Sequence, residues 1–378
     1  MSRKPVLLTA IGTRPEVIKM APVISVLSKS ASFCRHTLCV TGQHQDLLRQ
    51  ALGWFQLKPQ RDLKLMKPNQ DLTNLLARLL PVFTKYLDVL RPDAVLVQGD
   101  TLTAFGCAFA AYQRRIPVGH VEAGLRSHDF YEPFPEEAQR RLIDQISTWC
   151  FAPTAQAVAN LKAEGISGRR ILKTGNTVVD ALHVLLEEQA QQGSTVRMPW
   201  FTDSQRARPV LTLTMHRRES FGSGMRQIVR AVEKLLVQVP NALLYFPRHP
   251  NPQVIAATRA LERHPQVRLL KPLAYPDFIS LLSASALVLS DSGGVQEEAP
   301  SLGVPVVVLR ERTERTELLR TGMAMLAGTD PQKIVRGALA LMRRRRAGGD
   351  KEKGRRVNPF GDGHAAERIY ERLKRDLS

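Results

Sequence analysis

Three carboxylates, one imidazole and one glycine-rich turn stand where this sequence could do chemistry. Asp100, Glu122 and Glu136 sit where apolar runs give way to loops or helix starts, in Gln98-Gly99-Asp100-Thr101, Val121-Glu122-Ala123-Gly124 and Pro135-Glu136-Glu137. His216 leaves the apolar run Pro209 to Thr214 through Met215-His216-Arg217-Arg218. Such groups can exchange protons with a ligand held beside them. The turn is Leu287-Val288-Leu289-Ser290-Asp291-Ser292-Gly293-Gly294-Val295-Gln296-Glu297-Glu298. It reads as strand, tight turn and helix. Glycines let the backbone approach a ligand, and the first N–H groups of a helix lack intrahelical partners. That combination suits phosphate, and a Glu one turn further in could take a ribose hydroxyl pair.

The elements that must position these groups alternate strand and helix. Val6 to Ile11 is a continuous apolar run, as a buried parallel strand requires. Gly12-Thr13-Arg14-Pro15-Glu16 then opens a helix, with Pro suited to its first position and Glu to its positive end. Arg14 and Lys19 lie near that start, where a second anion could be gripped. Further strands are expected at Thr37 to Thr41, Ala94 to Val97, Pro117 to Val121, Thr148 to Ala152 and Ile171 to Thr174. Periodicity fades from about Gln189 to Arg208, and a second α/β series follows. The expected fold is therefore α/β, with two Rossmann-like domains and the ligand in the cleft they face. Residues 1–190 form the first domain and 191–359 the second, with an amphipathic terminal helix, 360–378, packing back on the first.

Taken alone, each residue also admits a plain structural role. Arg14 and Lys19 could be surface charges and Asp100 a helix cap. Glu122 and Glu136 could pair with Arg126 or Arg140, and His216 could be a satisfied structural histidine.

Composition narrows the classes. The 378 residues are too many for one core and suit two domains. Cys34, Cys39, Cys107 and Cys150 show neither metal-ligand spacing nor a disulfide framework. No run resembles a membrane span, and Met1-Ser2-Arg3-Lys4-Pro5 leads straight into a strand, so a cytoplasmic setting is expected. The net charge of +19 raises nucleic acid as a partner, but no recognition motif accompanies it and aromatics are sparse. A solvated basic face that attracts an anionic substrate explains it better. The clearest run, Arg343-Arg344-Arg345-Arg346, ends a helical pattern.

Several segments together resemble one family. They are Gly12-Thr13-Arg14-Pro15-Glu16-Val17-Ile18-Lys19, Gly99-Asp100-Thr101, His120-Val121-Glu122-Ala123-Gly124-Leu125-Arg126, Pro133-Phe134-Pro135-Glu136-Glu137, His216-Arg217-Arg218-Glu219, the stretch from Ser290 to Pro300, and Thr313-Glu314-Arg315. In this order they resemble the non-hydrolysing UDP-N-acetylglucosamine 2-epimerases, over nearly the whole chain. The resemblance implies a glycosyltransferase-B-like fold, a UDP-sugar substrate, a homodimer, and no metal or redox cofactor. It implies interconversion of UDP-GlcNAc and UDP-ManNAc, by elimination of UDP to a 2-acetamidoglucal and re-addition. The catalytic set it implies is Asp100, Glu122, Glu136 and His216, without assigning a carboxylate to each face of the sugar. The UDP contacts it implies are Arg14, Lys19, Phe278 against uracil, Ser292, Gly293, Gly294, Glu298 on ribose, and Arg315. Relatives with other outcomes share much of this pattern: a hydrolysing 2-epimerase would release ManNAc, and a glycosyltransferase would need an acceptor site.

The sequence departs from the family in places. Thr316 replaces the Pro usual after Glu-Arg. In the second nucleotide site of bacterial members, Gln43, Arg217 and His249 match, but Asp46 stands for Gln and Asn69 for Arg. An Asp beside a diphosphate repels it, so weakened or absent activation by UDP-GlcNAc is expected.

Overall fold

The computed structural model describes residues 3–42, 45–66, 71–191, 208–346 and 358–378. The chain divides into two compact units, Met1–Val184 with Phe360–Ser378, and Leu185–Pro359.

In the first unit the strands are β1 (Val6–Ile11), β2 (Arg35–Val40), β3 (Arg61–Asp62), β4 (Ala94–Gln98), β5 (Val118–Val121), β6 (Trp149–Ala152) and β7 (Ile171–Lys173). They form one sheet in the order β3-β2-β1-β4-β5-β6-β7, with every pairing parallel. All residues of β1, β4, β5 and β6 are buried, because helices cover both faces of the sheet. One face packs on Val17, Met20 and Ile24 of the helix Arg14–Lys29 and on Ile369 and Leu373 of the terminal helix Ala365–Leu377. That terminal helix is tied down at both ends. Asp180 Oδ1 accepts from the Ala366 amide at 2.8 Å, and Trp149 Nε1 donates to Asp376 at 2.8 Å. The other face packs on Leu75, Leu79 and Phe83 of the helix Leu72–Leu90.

The second unit repeats the plan. Its strands are β8 (Val210–Thr214), β9 (Leu243–Pro247), β10 (Val267–Leu270), β11 (Leu287–Ser290), β12 (Val306–Val308) and β13 (Ala324–Leu326), in the parallel order β10-β9-β8-β11-β12-β13. Both sheets are therefore Rossmann-like. Strand order reverses beside the first strand of each, between β1 and β4 and between β8 and β11. Ligands of such sheets bind beyond the carboxyl ends at this reversal. Gly12–Glu16 and Gly99–Thr101 flank the first reversal, and His216 and Asp291 flank the second.

The short strands β3 and β13 were not expected from the sequence. With two and three residues, neither carries enough of a pattern to read. No helix of the described residues is long and apolar enough to cross a membrane, and no group of three or more His, Cys, Asp or Glu among them could hold a metal ion. All four cysteines are free and buried.

Candidate active site

Glu122 follows the last residue of β5 and adopts φ +70°, a left-handed conformation that side chains other than glycine rarely take. Such backbone persists only where the surroundings hold it. Here they do. Lys19 Nζ bonds to Oε1, Gln98 Nε2 bonds to Oε2, and Asn176 Nδ2 lies 3.4 Å from Oε1. Lys19 is not a surface charge: it is buried, and its ion pair with Glu122 offsets the cost of desolvating both.

Asp100 follows β4 and pairs with Arg140, whose Nε donates to Oδ2 at 3.0 Å. Asp100 does not cap the next helix. Thr101 does so, accepting from the Ala104 amide at 3.0 Å. Glu136 opens the helix Glu136–Ile146 and is half-buried. Its neighbour Glu137 is fully buried and structural. It accepts from the Ser127 amide at 3.0 Å, Arg140 at 3.1 Å and Arg141 at 3.0 Å.

A buried polar layer lies behind these groups. His120 Nε2 meets the Gly99 carbonyl at 2.8 Å, and its Nδ1 meets Asp144 at 2.7 Å. Asp144 also accepts from Arg126 at 2.7 Å and from the Gly124 amide at 3.2 Å. Arg126 thus pairs with Asp144 and Glu164. Burial alone would raise the Asp144 carboxyl; the His120 and Arg126 charges outweigh it and hold it below its usual value.

Glu16 is a second buried hub. It accepts from the Gly12 amide at 3.0 Å, the Thr13 amide and hydroxyl at 2.7 Å each, and the Thr101 hydroxyl at 2.7 Å. Burial pushes its carboxyl up against these bonds. It completes a capping box and fastens the β1 turn to the β4 turn. Arg14, at the start of that helix, is half-buried.

In the second unit, the Asp291 carboxylate is fully buried, and its Oδ2 accepts from the His216 amide at 2.7 Å and the Arg217 amide at 2.8 Å. His216 Nδ1 lies 3.2 Å from Oδ1, while 42% of the His216 side chain stays exposed. Burial raises the Asp291 carboxyl, but the imidazole and the two amides more than reverse that and leave it lowered. His249 stacks on His216 with centroids 5.9 Å apart. Burial and then the His216 charge lower its basicity.

The glycine-rich turn caps its helix, Gly293–Ser301, with Ser292 in extended backbone. The Arg315 guanidinium lies against this start: a Cβ on Gly293 would come 3.1 Å from its Nη1. Glu297, at 2.7 Å, and Glu314, at 3.1 Å, hold that guanidinium in place. Glu298 is buried and accepts from the Tyr275 hydroxyl at 3.0 Å, and Phe278 lies half-buried one turn after Tyr275. Sequence reasoning missed Asp291, Glu297 and Tyr275 as supports of the site. The Asp before the double glycine was the one visible hint. Of the second-site residues, Arg217 is half-buried and His249 exposed; Gln43 and Asn69 lie outside the described residues, as does the Asp46 side chain.

The family model for UDP-N-acetylglucosamine 2-epimerase matches residues 27–374. The chain belongs to this family. It is 41% identical to the UDP-N-acetylglucosamine 2-epimerase of Salmonella typhimurium, covering 97% of this chain and 98% of the relative. The crystal structure of UDP-GlcNAc 2-epimerase from Neisseria meningitidis bound to UDP-GlcNAc is 40% identical with a TM-score of 0.89, covering 98% of this chain and all of that one. The Methanocaldococcus jannaschii UDP-GlcNAc 2-epimerase in complex with UDP-GlcNAc and UDP is 32% identical with a TM-score of 0.81, covering 98% and 99%.

For an epimerase of this family, the packing of Arg315 on Gly293 yields an expected outcome. Gly293→Ala places a Cβ 3.1 Å from Arg315 Nη1, so the guanidinium must give by a few tenths of an ångström against Glu297 and Glu314. Titration calorimetry should show UDP affinity falling by up to about tenfold, at most the loss of one charge-assisted bond, with thermal stability nearly unchanged because the shifted guanidinium keeps its glutamates.

Proposed function

We propose that this chain interconverts UDP-GlcNAc and UDP-ManNAc by eliminating UDP and adding it back. The hydrogen on C2 is not acidic, since no ketone lies beside that carbon, so simple proton abstraction is a poor route. In elimination, a carboxylate takes the C2 proton and the C–H pair becomes the C1=C2 bond. The C1–O bond breaks, and its electrons leave on the β-phosphate oxygen. The intermediates are UDP and 2-acetamidoglucal. Return of a proton to the other face of C2, with re-formation of C1–O, gives the epimer. No net oxidation occurs, so the cycle balances without a redox cofactor.

Asp100, Glu122 and Glu136 supply proton removal and return. His216 faces the departing diphosphate. Ser292, Gly293 and Gly294 present backbone to phosphate, Arg315 and Arg14 add charge, Glu298 takes the ribose and Phe278 the uracil. Lys19 pairs with Glu122 and adds to the positive field. The observation that carries the reading is Glu122, a strained carboxylate at a strand end with both oxygens supported in a chain of this family. The same reading makes the working unit a cytoplasmic homodimer.

Incubation with UDP-GlcNAc tests the proposal: UDP-ManNAc should accumulate to a fixed ratio. Free ManNAc with stoichiometric UDP would assign a hydrolysing enzyme instead. Because Asp46 and Asn69 replace the residues usual in the second nucleotide site, the rate with UDP-ManNAc alone should follow a hyperbola. A sigmoidal curve that needs added UDP-GlcNAc would contradict this.

A further inference from the structure

We propose that Asp291 is the positioning residue of His216, fixing the proton on Nδ1 so that Nε2 is the nitrogen presented to the departing diphosphate. The inference rests on the reading of His216 given above. Three observations carry it. First, Asp291 Oδ2 is occupied by the amides of His216 and Arg217, which pins the carboxylate and the turn together. Second, Oδ1 is shut off from solvent and has no conventional hydrogen bond among the described residues; the donor it faces is His216 Nδ1, 3.2 Å away. An ionised carboxylate only accepts, so a ring nitrogen held against it is protonated. Third, the His216 side chain is 42% exposed, which leaves the ring accessible to a ligand while Nδ1 lies against the carboxylate.

The two oxygens thus divide the work. One sets the path of the chain at the end of β8, and the other sets the tautomer of the side chain that this path delivers. The strands that bring them together, β8 and β11, are neighbours in the sheet, with Thr214 opposite Ser290, so Asp291 directly follows the register that places it beside residues 215–217. The other titratable groups near the ring are His249, stacked 5.9 Å away, and Arg217, next in the chain. Neither can accept a proton bond from Nδ1 in place of the carboxylate: Arg217 has no acceptor, and His249 faces the ring plane to plane at 22°. When Nε2 also carries a proton for the diphosphate, the buried carboxylate supplies the opposing charge. This is the division of labour in which an acid orients an imidazole without itself taking the proton.

Asp291→Asn is the discriminating variant. The asparagine oxygen can still accept both amides, but its NH2 group faces Nδ1 and demands a bare nitrogen there. We expect kcat to fall about 100-fold, with KM for UDP-GlcNAc within about threefold. The alkaline limb of the kcat profile should move about one pH unit toward acid, the effect of removing an adjacent opposite charge. The 15N spectrum of histidine-labelled native enzyme, with His216 assigned by its loss in His216→Asn, should show Nδ1 protonated across the active pH range. In Asp291→Asn the proton should sit on Nε2. A native spectrum with Nδ1 bare overturns the proposal, and this test does not depend on the variant folding. A kcat loss with neither tautomer change nor limb shift also overturns it, since it would make Asp291 purely structural. Native kcat in His216→Asn would instead sink the role given to His216, leaving the tautomer result to stand or fall by itself.

Discussion

Glu122→Gln should cut epimerisation about 1,000-fold while leaving UDP binding within about threefold, as expected for loss of a positioned acid–base group. The amide cannot take a proton from C2, but it keeps the shape of the carboxylate and can still accept from Gln98. Three decades in rate correspond to about 4 kcal/mol of barrier. Lys19 would lose its ion pair and remain buried, so a modest drop in thermal midpoint should accompany the loss. The measurement is kcat by UDP-ManNAc formation, with circular dichroism and UDP calorimetry on the same sample. A folded variant that binds UDP and turns over at the native rate would remove Glu122 from the catalytic set.

Asp144→Ala should destabilise the fold by about 3 kcal/mol, the low end for a broken buried pair, because Arg126 keeps only the partly exposed Glu164 and His120 loses its carboxylate partner. Asp144 joins His120, Arg126 and the Gly124 amide, all buried. Gly124 also has φ +88°, and an added Cβ there would lie 2.4 Å from the Ala157 carbonyl, so the backbone has little freedom to close the gap. The check is urea unfolding, where the midpoint should fall with the slope unchanged. The same carboxyl sets an acid dependence. Its folded-state pKa lies below the ordinary 3.8, so its contribution is fully present above about pH 4 and drains as pH falls through the lowered value. Native protein should lose this stability on acidification and Asp144→Ala should not, so their difference should shrink toward low pH. A variant as stable as native at pH 7 would show that the buried layer is not what holds the strand ends.

Much of the architecture was legible because strands buried on both faces read as unbroken apolar runs. Val6–Ile11 and Ala94–Gln98 are of this kind, and Gly12 and Gly99 mark their exits. Strand order was not legible. Alternation implies parallel sheets, but nothing in the runs says that β1 lies between β2 and β4 or that β8 lies between β9 and β11. The supporting residues were hidden for the same reason. Lys19 meets Glu122 only because the sheet order brings the helix after β1 beside the end of β5, over 103 positions of sequence. Asp291 looked like part of a turn, and its partner His216 is 75 positions away. Glu16 looked like a favourable charge at a helix start; its burial follows from the Thr101 turn that closes over it. Groups that face a ligand come with local motifs. Groups that face other groups do so through topology.

The most direct test of elimination and re-addition is to incubate the enzyme with UDP-GlcNAc in heavy water and follow C2 by NMR. The account predicts deuterium at C2 of UDP-ManNAc and, as the reaction reverses, at C2 of the UDP-GlcNAc pool, with traces of 2-acetamidoglucal and UDP. Epimerisation with the C2 hydrogen fully retained from the substrate would contradict it.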